Sequence, residues 1–383
     1  MLEAKRGLKP PRTRLLCVGR DLRGGGAERV QLTLLKHLDR DKFDIRVFYL
    51  SGRGVLHELV PPDITPAYGV PGTESLKLRA LPLLVRLIRL AYRSDVIFAM
   101  QEGTPIYLAA LAGRLTGRPV VGWTHAPWVE QLRILGPWHR WASSLYSLAN
   151  KLIATSEGGV KDLVRFSPRL RGKVVAIYNP LSLQRIRTQA RVAAPAWADQ
   201  VFTKRTLLAV GRLAPEKGFD VLLPAFAELV RRGLDLHLLI LGEGDERAKL
   251  EELARKLEVS DRVFMPGFQE NPYPFFTRAE VFVLSSRFEG QPTVLLEAMT
   301  LGLPVIATDC PHGPREITKD GQYGILVSPN STTALAEAAY DLINSAERRT
   351  TLGAAGAVLA QEYDIGRVRS FFEDLLLGCI KRG

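Results

Sequence analysis

The sequence predicts an α/β protein built from two Rossmann-like, doubly wound domains. Three observations carry this. The same opening occurs twice, near residues 14 and 206: a short apolar run ending in glycine, a loop, then an apolar segment with helical periodicity. Short apolar runs alternate with helical patterns through both halves. The 383 residues suit two domains of about 150–200 residues, each able to bury its own core.

The first domain, residues 1–180, opens on Arg14-Leu-Leu-Cys-Val-Gly19, a buried strand. Gly24, Gly25 and Gly26 form the following loop, and Val30, Leu32, Leu34, Leu35 and Leu38 mark the helix after it. Further buried strands are expected at 45–50, 96–100 and 119–123. The boundary is placed at Asn179-Pro180, because a residue before proline is pushed out of helical conformation. Residues 181–205, polar and weakly periodic, are expected as a linker. Thr206-Leu-Leu-Ala-Val-Gly211 opens the second domain, residues 206–364, with its helix marked by Val221, Leu222, Phe226 and Leu229. Strands at 237–241, 262–265, 281–284, 304–307 and 325–327 follow, with helices over Glu246–Leu257 and Thr333–Ser345. Residues 365–383 carry a final amphipathic helix, Ile365–Lys381.

The net charge of +12 is unevenly held. Residues 1–180 carry 28 basic against 14 acidic side chains, and residues 181–383 carry 24 against 26. The basic excess of the first half points to an anionic partner: nucleic acid, anionic lipid or a lipid-linked phosphate. Cys17, Cys310 and Cys379 are scattered, as in a reducing compartment. No apolar run reaches the ~18 residues of a membrane span, and Met1 to Arg14 lacks the apolar core of a signal peptide. A cytoplasmic protein is expected.

The segment richest in chemistry is Ser285-Ser-Arg-Phe-Glu-Gly-Gln-Pro-Thr-Val-Leu-Leu-Glu-Ala-Met299. Glu289 precedes a helix that Gly290-Gln291-Pro292-Thr293 opens, and Glu297 lies further along it. Carboxylates accept from sugar or ribose hydroxyls, and the unpaired first amides of a helix suit phosphate. A nucleotide sugar offers hydroxyls at both ends and phosphate between. Two solvated acids on a surface helix are the plain alternative. Arg212 and Lys217 follow the first strand of the second domain, where α/β sheets bind ligands, and offer a guanidinium fork and a point charge for phosphate. The glycines 24–26 sit in the matching loop of the first domain. A dinucleotide fingerprint needs glycine three places after Gly26, where Arg29 stands, so a dehydrogenase reading is weak. No cluster at ligand spacing calls for a metal, and no cofactor is expected.

Glu289–Glu297 resembles the E-x7-E signature of glycosyltransferase family 4, retaining enzymes of the GT-B fold. Ala209–Asp220 resembles the family's basic phosphate-binding segment, Gly24–Val30 its N-terminal glycine loop, and Asp309–Ile317 the segment after its E-x7-E helix. The resemblance implies two Rossmann-like domains facing across a cleft, with the last helix crossing back onto the first domain. It implies that Arg212, Lys217 and the amides around Gly290, Gln291, Pro292 and Thr293 bind the donor diphosphate. Glu297 then binds the ribose, and Glu289 the donor sugar. His125, in Trp123-Thr-His-Ala-Pro-Trp128, matches a histidine that contacts the sugar or assists the reaction. His312 and Glu316 fall on the ligand side of the strand 304–307. There Gly-Pro-Arg-Glu replaces a more usual double glycine, a variant that resembles transferases of bacterial lipopolysaccharide, capsule or exopolysaccharide synthesis.

Four of the five tryptophans, Trp123, Trp128, Trp138 and Trp141, lie close together beside Arg133, His139 and Arg140. Upstream, Leu76–Tyr92 alternates leucines with Lys77, Arg79, Arg86 and Arg89. This composition fits an interfacial membrane face, although Leu76–Tyr92 by itself also suits a helix packed on a sheet. The expected reaction moves a sugar, without metal, from a uridine diphosphate-linked donor to a lipid-linked or polysaccharide acceptor. It is expected at the inner face of the plasma membrane, with the first domain on anionic lipid. A GT-B nucleotide-sugar epimerase is the nearest alternative. A nucleic-acid-binding protein is another, but it leaves Glu289 and Glu297 unexplained, so no nucleic-acid partner is expected.

Overall fold

Apolar runs joined by helical crossovers must pair in parallel, and both sheets of this protein do so throughout. The computed structural model describes residues 11–71, 76, 79–125, 127–128 and 137–380. The chain divides into two compact units. One comprises Met1–Ala154, Leu163–Ile177 and Arg369–Gly383, the other Thr155–Asp162 and Tyr178–Val368.

The first unit holds β1 (Thr13–Gly19), β2 (Phe43–Ser51), β3 (Ala67–Val70), β4 (Val96–Ala99), β5 (Val120–Thr124), β6 (Lys151–Ala154) and β7 (Val174–Ala176). Their order is β3-β2-β1-β4-β5-β6-β7, all parallel. The second holds β8 (Arg205–Val210), β9 (Leu236–Leu241), β10 (Val263–Gly267), β11 (Val281–Leu284), β12 (Val305–Thr308) and β13 (Ile325–Val327). Their order is β10-β9-β8-β11-β12-β13, again parallel. In each sheet the order reverses beside the first strand, between β1 and β4 and between β8 and β11.

The second sheet separates two apolar layers, and successive residues alternate between them. Leu207, Leu238, Ile240 and Val283 join Phe226 and Leu342 on one face. Leu208, Leu239, Leu241 and Phe282 join Phe276, Leu296 and Tyr363 on the other. Burial on both faces explains why these strands read as continuous apolar runs.

Three strands escape the sequence pattern. β3 is Ala-Tyr-Gly-Val and mostly half-buried, while β6 and β7 are only 4 and 3 residues long. The expected linker is also corrected. Residues 181–205 include helices Leu183–Gln189 and Ala198–Val201, and Leu181, Leu183, Ile186, Ala198 and Val201 are buried in the second unit's core. Leu181 donates to the Tyr363 carbonyl at 2.9 Å and accepts from the Ile365 amide at 2.8 Å. Thr155–Asp162 and Tyr178–Pro180 likewise belong to the second unit rather than to the first.

The last helix spans Ile365–Ile380, and from Arg369 onward it belongs to the first unit. Its anchor is Glu373, 1% exposed, which accepts from Lys42 Nζ at 2.6 Å and from the Asp39 amide at 3.0 Å. Phe372 meets Trp123 edge-on, with ring centroids 4.7 Å apart. Among the described residues no helix is long and apolar enough to cross a membrane.

Candidate active site

Parallel α/β sheets bind ligands beyond the carboxyl ends of their strands where the order reverses. In the second unit that place lies between β8 and β11, so the loops 211–218 and 285–292 define it. Glycines let these loops close on each other. Gly218 has φ +64°, and a Cβ there would strike the Ser285 carbonyl. Ser285 Oγ donates to the Lys217 carbonyl at 2.8 Å, joining the two loops.

Lys217 Nζ donates to Glu289 Oε1 at 2.6 Å, and Ser286 Oγ donates to the same oxygen at 2.6 Å. The Lys217 and Glu289 side chains are only 21% and 10% exposed, so their attraction is screened less than that of a surface pair. Behind them, Arg287 forks onto Asp220 at 2.8 and 2.7 Å and donates to the Pro215 carbonyl at 2.5 Å. That fork holds Asp220 below its usual range, through the side-chain hydrogen bond first. Arg212 lies on the same loop as Lys217 but is far more exposed, and its guanidinium meets Glu216 at 2.5 Å.

The helix after Glu289 spans Thr293–Thr300, and Pro292 at its N-cap offers no side-chain hydrogen bond. The opening amides are therefore left to other partners. Gly313, at φ +87°, packs onto this turn; a Cβ there would meet Pro292 Cδ at 2.6 Å and the Gly290 carbonyl at 3.0 Å. Glu297 is half-buried within the helix. The buried Gln291 side chain turns inward: its Oε1 accepts from the Asn179 amide at 2.5 Å, while its Nε2 has no partner among the described residues.

Glu316 follows β12 as expected, but its carboxylate is already engaged. Its carboxylate accepts from the amides of Glu157 at 2.8 Å and Gly158 at 2.7 Å, at the start of the helix Glu157–Phe166. It satisfies that helix's orphan donors and complements its dipole. His312 stands next to this cap at φ +65°, with Nε2 3.9 Å from Asp162 Oδ2. The Tyr178 hydroxyl, 3.5 Å from Glu316, is pushed up to about 12 by burial and then by that carboxylate.

Sequence reasoning missed Ser286 and Cys310. Ser286 stands three residues before Glu289, a signal that needs the turn to be meaningful. Cys310 is buried, and its thiol is pushed up to about 12 by burial first and then by the charge of Glu289. It stays protonated and unreactive.

The first unit carries its own set at the β1–β4 reversal. Gly24 has φ +112°, and Gly25 precedes the helix Gly26–His37. Glu28 folds back over Gly25, where any Cβ would strike its carboxylate, and accepts from Gln101 Nε2 at 3.2 Å. His125 is 9% exposed and lies against Trp123, with ring centroids 4.3 Å apart. Its Nε2 meets the Met100 carbonyl at 2.9 Å, and a carbonyl can only accept. The proton therefore sits on Nε2, and Nδ1, which has no partner among the described residues, is the acceptor. The His125 amide donates to Glu102 at 2.9 Å.

Among the described residues no three His, Cys, Asp or Glu side chains are grouped as metal ligands would be. An Asp-x-Asp triplet does occur at Asp39–Asp41, but it lies before β2, at the end of the sheet away from the ligand side. There Asp39 accepts from the Asp41 amide at 2.8 Å.

Residues 24–185 match Glycosyltransferase Family 4, and residues 199–358 match Glycosyl transferases group 1. An alpha-D-kanosaminyltransferase of Streptomyces kanamyceticus is 30% identical over 279 residues, 69% of this chain and 72% of that protein. The chain belongs to glycosyltransferase family 4. A second relative of this family 4 enzyme comes from Campylobacter jejuni. It is an N-acetylgalactosamine-N,N'-diacetylbacillosaminyl-diphospho-undecaprenol 4-alpha-N-acetylgalactosaminyltransferase. The two are 27% identical over 372 residues, 93% of this chain and 97% of that one. The crystal structure of Anabaena Alr3699/HepE in complex with UDP and glucose shares the fold. Its TM-score is 0.80 at 22% identity, covering 95% of this chain and 99% of that chain. The family 4 enzyme is thus a GT-B glycosyltransferase of bacterial glycan synthesis.

Proposed function

We propose that this enzyme moves a hexosyl or N-acetylhexosaminyl group from a uridine diphosphate sugar to a lipid-linked or polysaccharide acceptor. The reaction retains anomeric configuration and needs no metal ion. The observation that carries this reading is the Lys217–Glu289–Ser286 constellation at the β8–β11 reversal. Both hydrogen bonds reach Oε1, so Oε2 is the oxygen that accepts from a donor-sugar hydroxyl. Lys217, Arg212 and the amides of Gly290, Gln291 and Thr293 hold the diphosphate, and Glu297 accepts from the ribose. His125 Nδ1 accepts from a sugar hydroxyl, because its own proton is committed to Met100. UDP and glucose in the HepE crystal and the diphospho-undecaprenol acceptor in the Campylobacter enzyme's name support the two substrate classes.

In the transfer step the sugar C1–oxygen bond to the diphosphate breaks as the acceptor hydroxyl oxygen bonds to C1 on the same face. The acceptor's proton passes to the departing phosphate oxygen, which keeps the configuration. Positive charge from Lys217 and Arg212 stabilises the negative charge growing on that phosphate. Cys17 and Cys310, both buried and free, support a cytoplasmic setting.

A thermal-shift screen of nucleotide sugars in chelator tests the donor, since a ligand of the folded state raises Tm. A shift with a uridine diphosphate sugar that Arg212→Ala abolishes is expected. No shift with any uridine nucleotide would overturn the donor reading. Loss of transfer on adding chelator would overturn metal independence, and an inverted anomeric proton in the product's NMR spectrum would overturn retention.

A further inference from the structure

On one face of the first unit's sheet, three of the four connections are β3 to β4, β4 to β5 and β5 to β6. Each moves the same way across the sheet, and right-handed crossovers that move one way lie on one face. Their helical parts, Ala80–Ala91, Thr104–Thr116 and 137–148, pack side by side. Segments 80–93, 104–119 and 137–150 hold six arginines and not one aspartate or glutamate.

The same face is rich in exposed apolar groups. Among the described residues twelve large apolar side chains stand exposed, and six of them, Leu81, Val85, Tyr92, Leu115, Trp141 and Leu148, belong to these connections. Leu81, Val85 and Tyr92 form one outer stripe of the helix Ala80–Ala91, opposite the buried Leu83, Leu87 and Ala91. That stripe is about 17 Å long at a helical rise of ~1.5 Å per residue. Arg89 and Arg93 are exposed along it, with no carboxylate partner among the described residues. Arg86 differs: it donates to the Tyr68 carbonyl at 2.5 Å and lies over the Phe48 ring, which holds the helix to the sheet.

The expected tryptophan face is thereby redrawn. Trp123 and Trp128 are 0% and 1% exposed and belong to the core, whereas Trp141 is 66% exposed. Lys77 and Arg133 lie outside the described residues. The helix that composition left open to plain sheet packing is the one with the apolar outer stripe.

We infer that this face seats on an anionic lipid bilayer, with Leu81, Val85, Tyr92 and Trp141 in the interface and the exposed arginines on lipid phosphates. Charge complementarity selects the occupant. A second copy would set arginine against arginine, and nucleic acid, with phosphates on its outside, leaves most of a stripe of leucine and valine in water. A bilayer accepts both groups at once. The inference stands whatever the donor nucleotide is.

Flotation of the full chain with vesicles tests it, using neutral phosphatidylcholine and its mixture with phosphatidylglycerol. Binding to the anionic vesicles alone, weakened by salt, is expected. The double variants Leu81→Ser/Val85→Ser and Arg89→Glu/Arg93→Glu should each weaken partitioning about tenfold or more. Val358→Ser, exposed in the second unit, should change nothing. Tm and the nucleotide-induced shift, measured on every variant, separate this result from misfolding and from the donor reading. Absence of flotation, or flotation that neither double variant weakens, overturns the inference. So does retention on duplex DNA that depends on Arg89 and Arg93 in place of vesicle binding, which would assign the face to nucleic acid.

Discussion

The two sheets share one plan, a first strand flanked by the second and by the strand after the crossover, yet their reversal points carry different chemistry. At β8–β11 the loops bring a lysine, a serine and a carboxylate to one oxygen. At β1–β4 the loops carry glycines and a folded-back Glu28, and a histidine from the loop after β5 commits one nitrogen to the Met100 carbonyl. The backbone frame places ligands; the loop side chains decide which ligands and what happens to them. A charged pair suits the diphosphate of the proposed donor, and an imidazole nitrogen left to accept suits hydroxyls.

The comparison breaks most sharply at Glu289. Glu289→Ala should lower kcat about 10²–10³-fold, the scale of losing one preorganised polar group, while nucleotide affinity changes little. Equal losses in kcat and nucleotide Kd, by steady-state kinetics and calorimetry, would contradict this division of roles. Lys217→Ala should lose nucleotide affinity as well, because in the proposed donor complex its charge faces the phosphates in the ground state too. His125→Ala is expected to lower kcat by a smaller factor, about tenfold to a hundredfold, and to leave UDP binding intact.

Glycine substitutions sharpen the contrast in stability. Gly218→Ala meets both a left-handed φ and the Ser285 carbonyl, so about 1–3 kcal/mol of destabilisation is expected in denaturant titration. Gly26→Ala meets no atom within 4 Å and should be near neutral. Glu316→Ala removes a helix cap and should cost about 0.5–2 kcal/mol with kcat retained. A large kcat loss at unchanged stability would return Glu316 to the chemistry.

The smallest effect concerns Cys310. Its folded thiol is pushed up to about 12, so above about 9 the unfolded chain loses a proton that the folded chain keeps. Stability from this group is full below that range and falls as pH rises through it. Cys310→Ser should flatten the alkaline limb of a Tm-against-pH curve.

Much of the fold was legible. Runs such as Leu-Leu-Ala-Val reveal buried parallel strands, and glycine after each first strand marks a ligand-side loop. Missing were β3, mostly half-buried and without an apolar run, the short β6 and β7, and the helices of 181–205. Leu181, Leu183 and Ile186 there give less than two turns of pattern, and only contact with Leu296 and Tyr363 makes them core. Of the candidate site, Lys217, Glu289 and the glycine turn were singled out by their resemblance to family 4 segments, since each alone also suits a solvated surface; that Lys217 meets Glu289 is visible only in the fold.

What the sequence determined by itself is the pair of doubly wound sheets, the placement of charge and glycine at their ligand ends, and the basic excess of the first half. Periodicity and turn chemistry are local, so they can be read along the chain. Tertiary structure alone decided that Ser286 joins Lys217 on one oxygen and that Gln291 and Glu316 turn to backbone amides. It also decided that Trp123 is core while Leu81 faces water. Each of these depends on which distant segment arrives beside the side chain, and no spacing in one dimension carries that information.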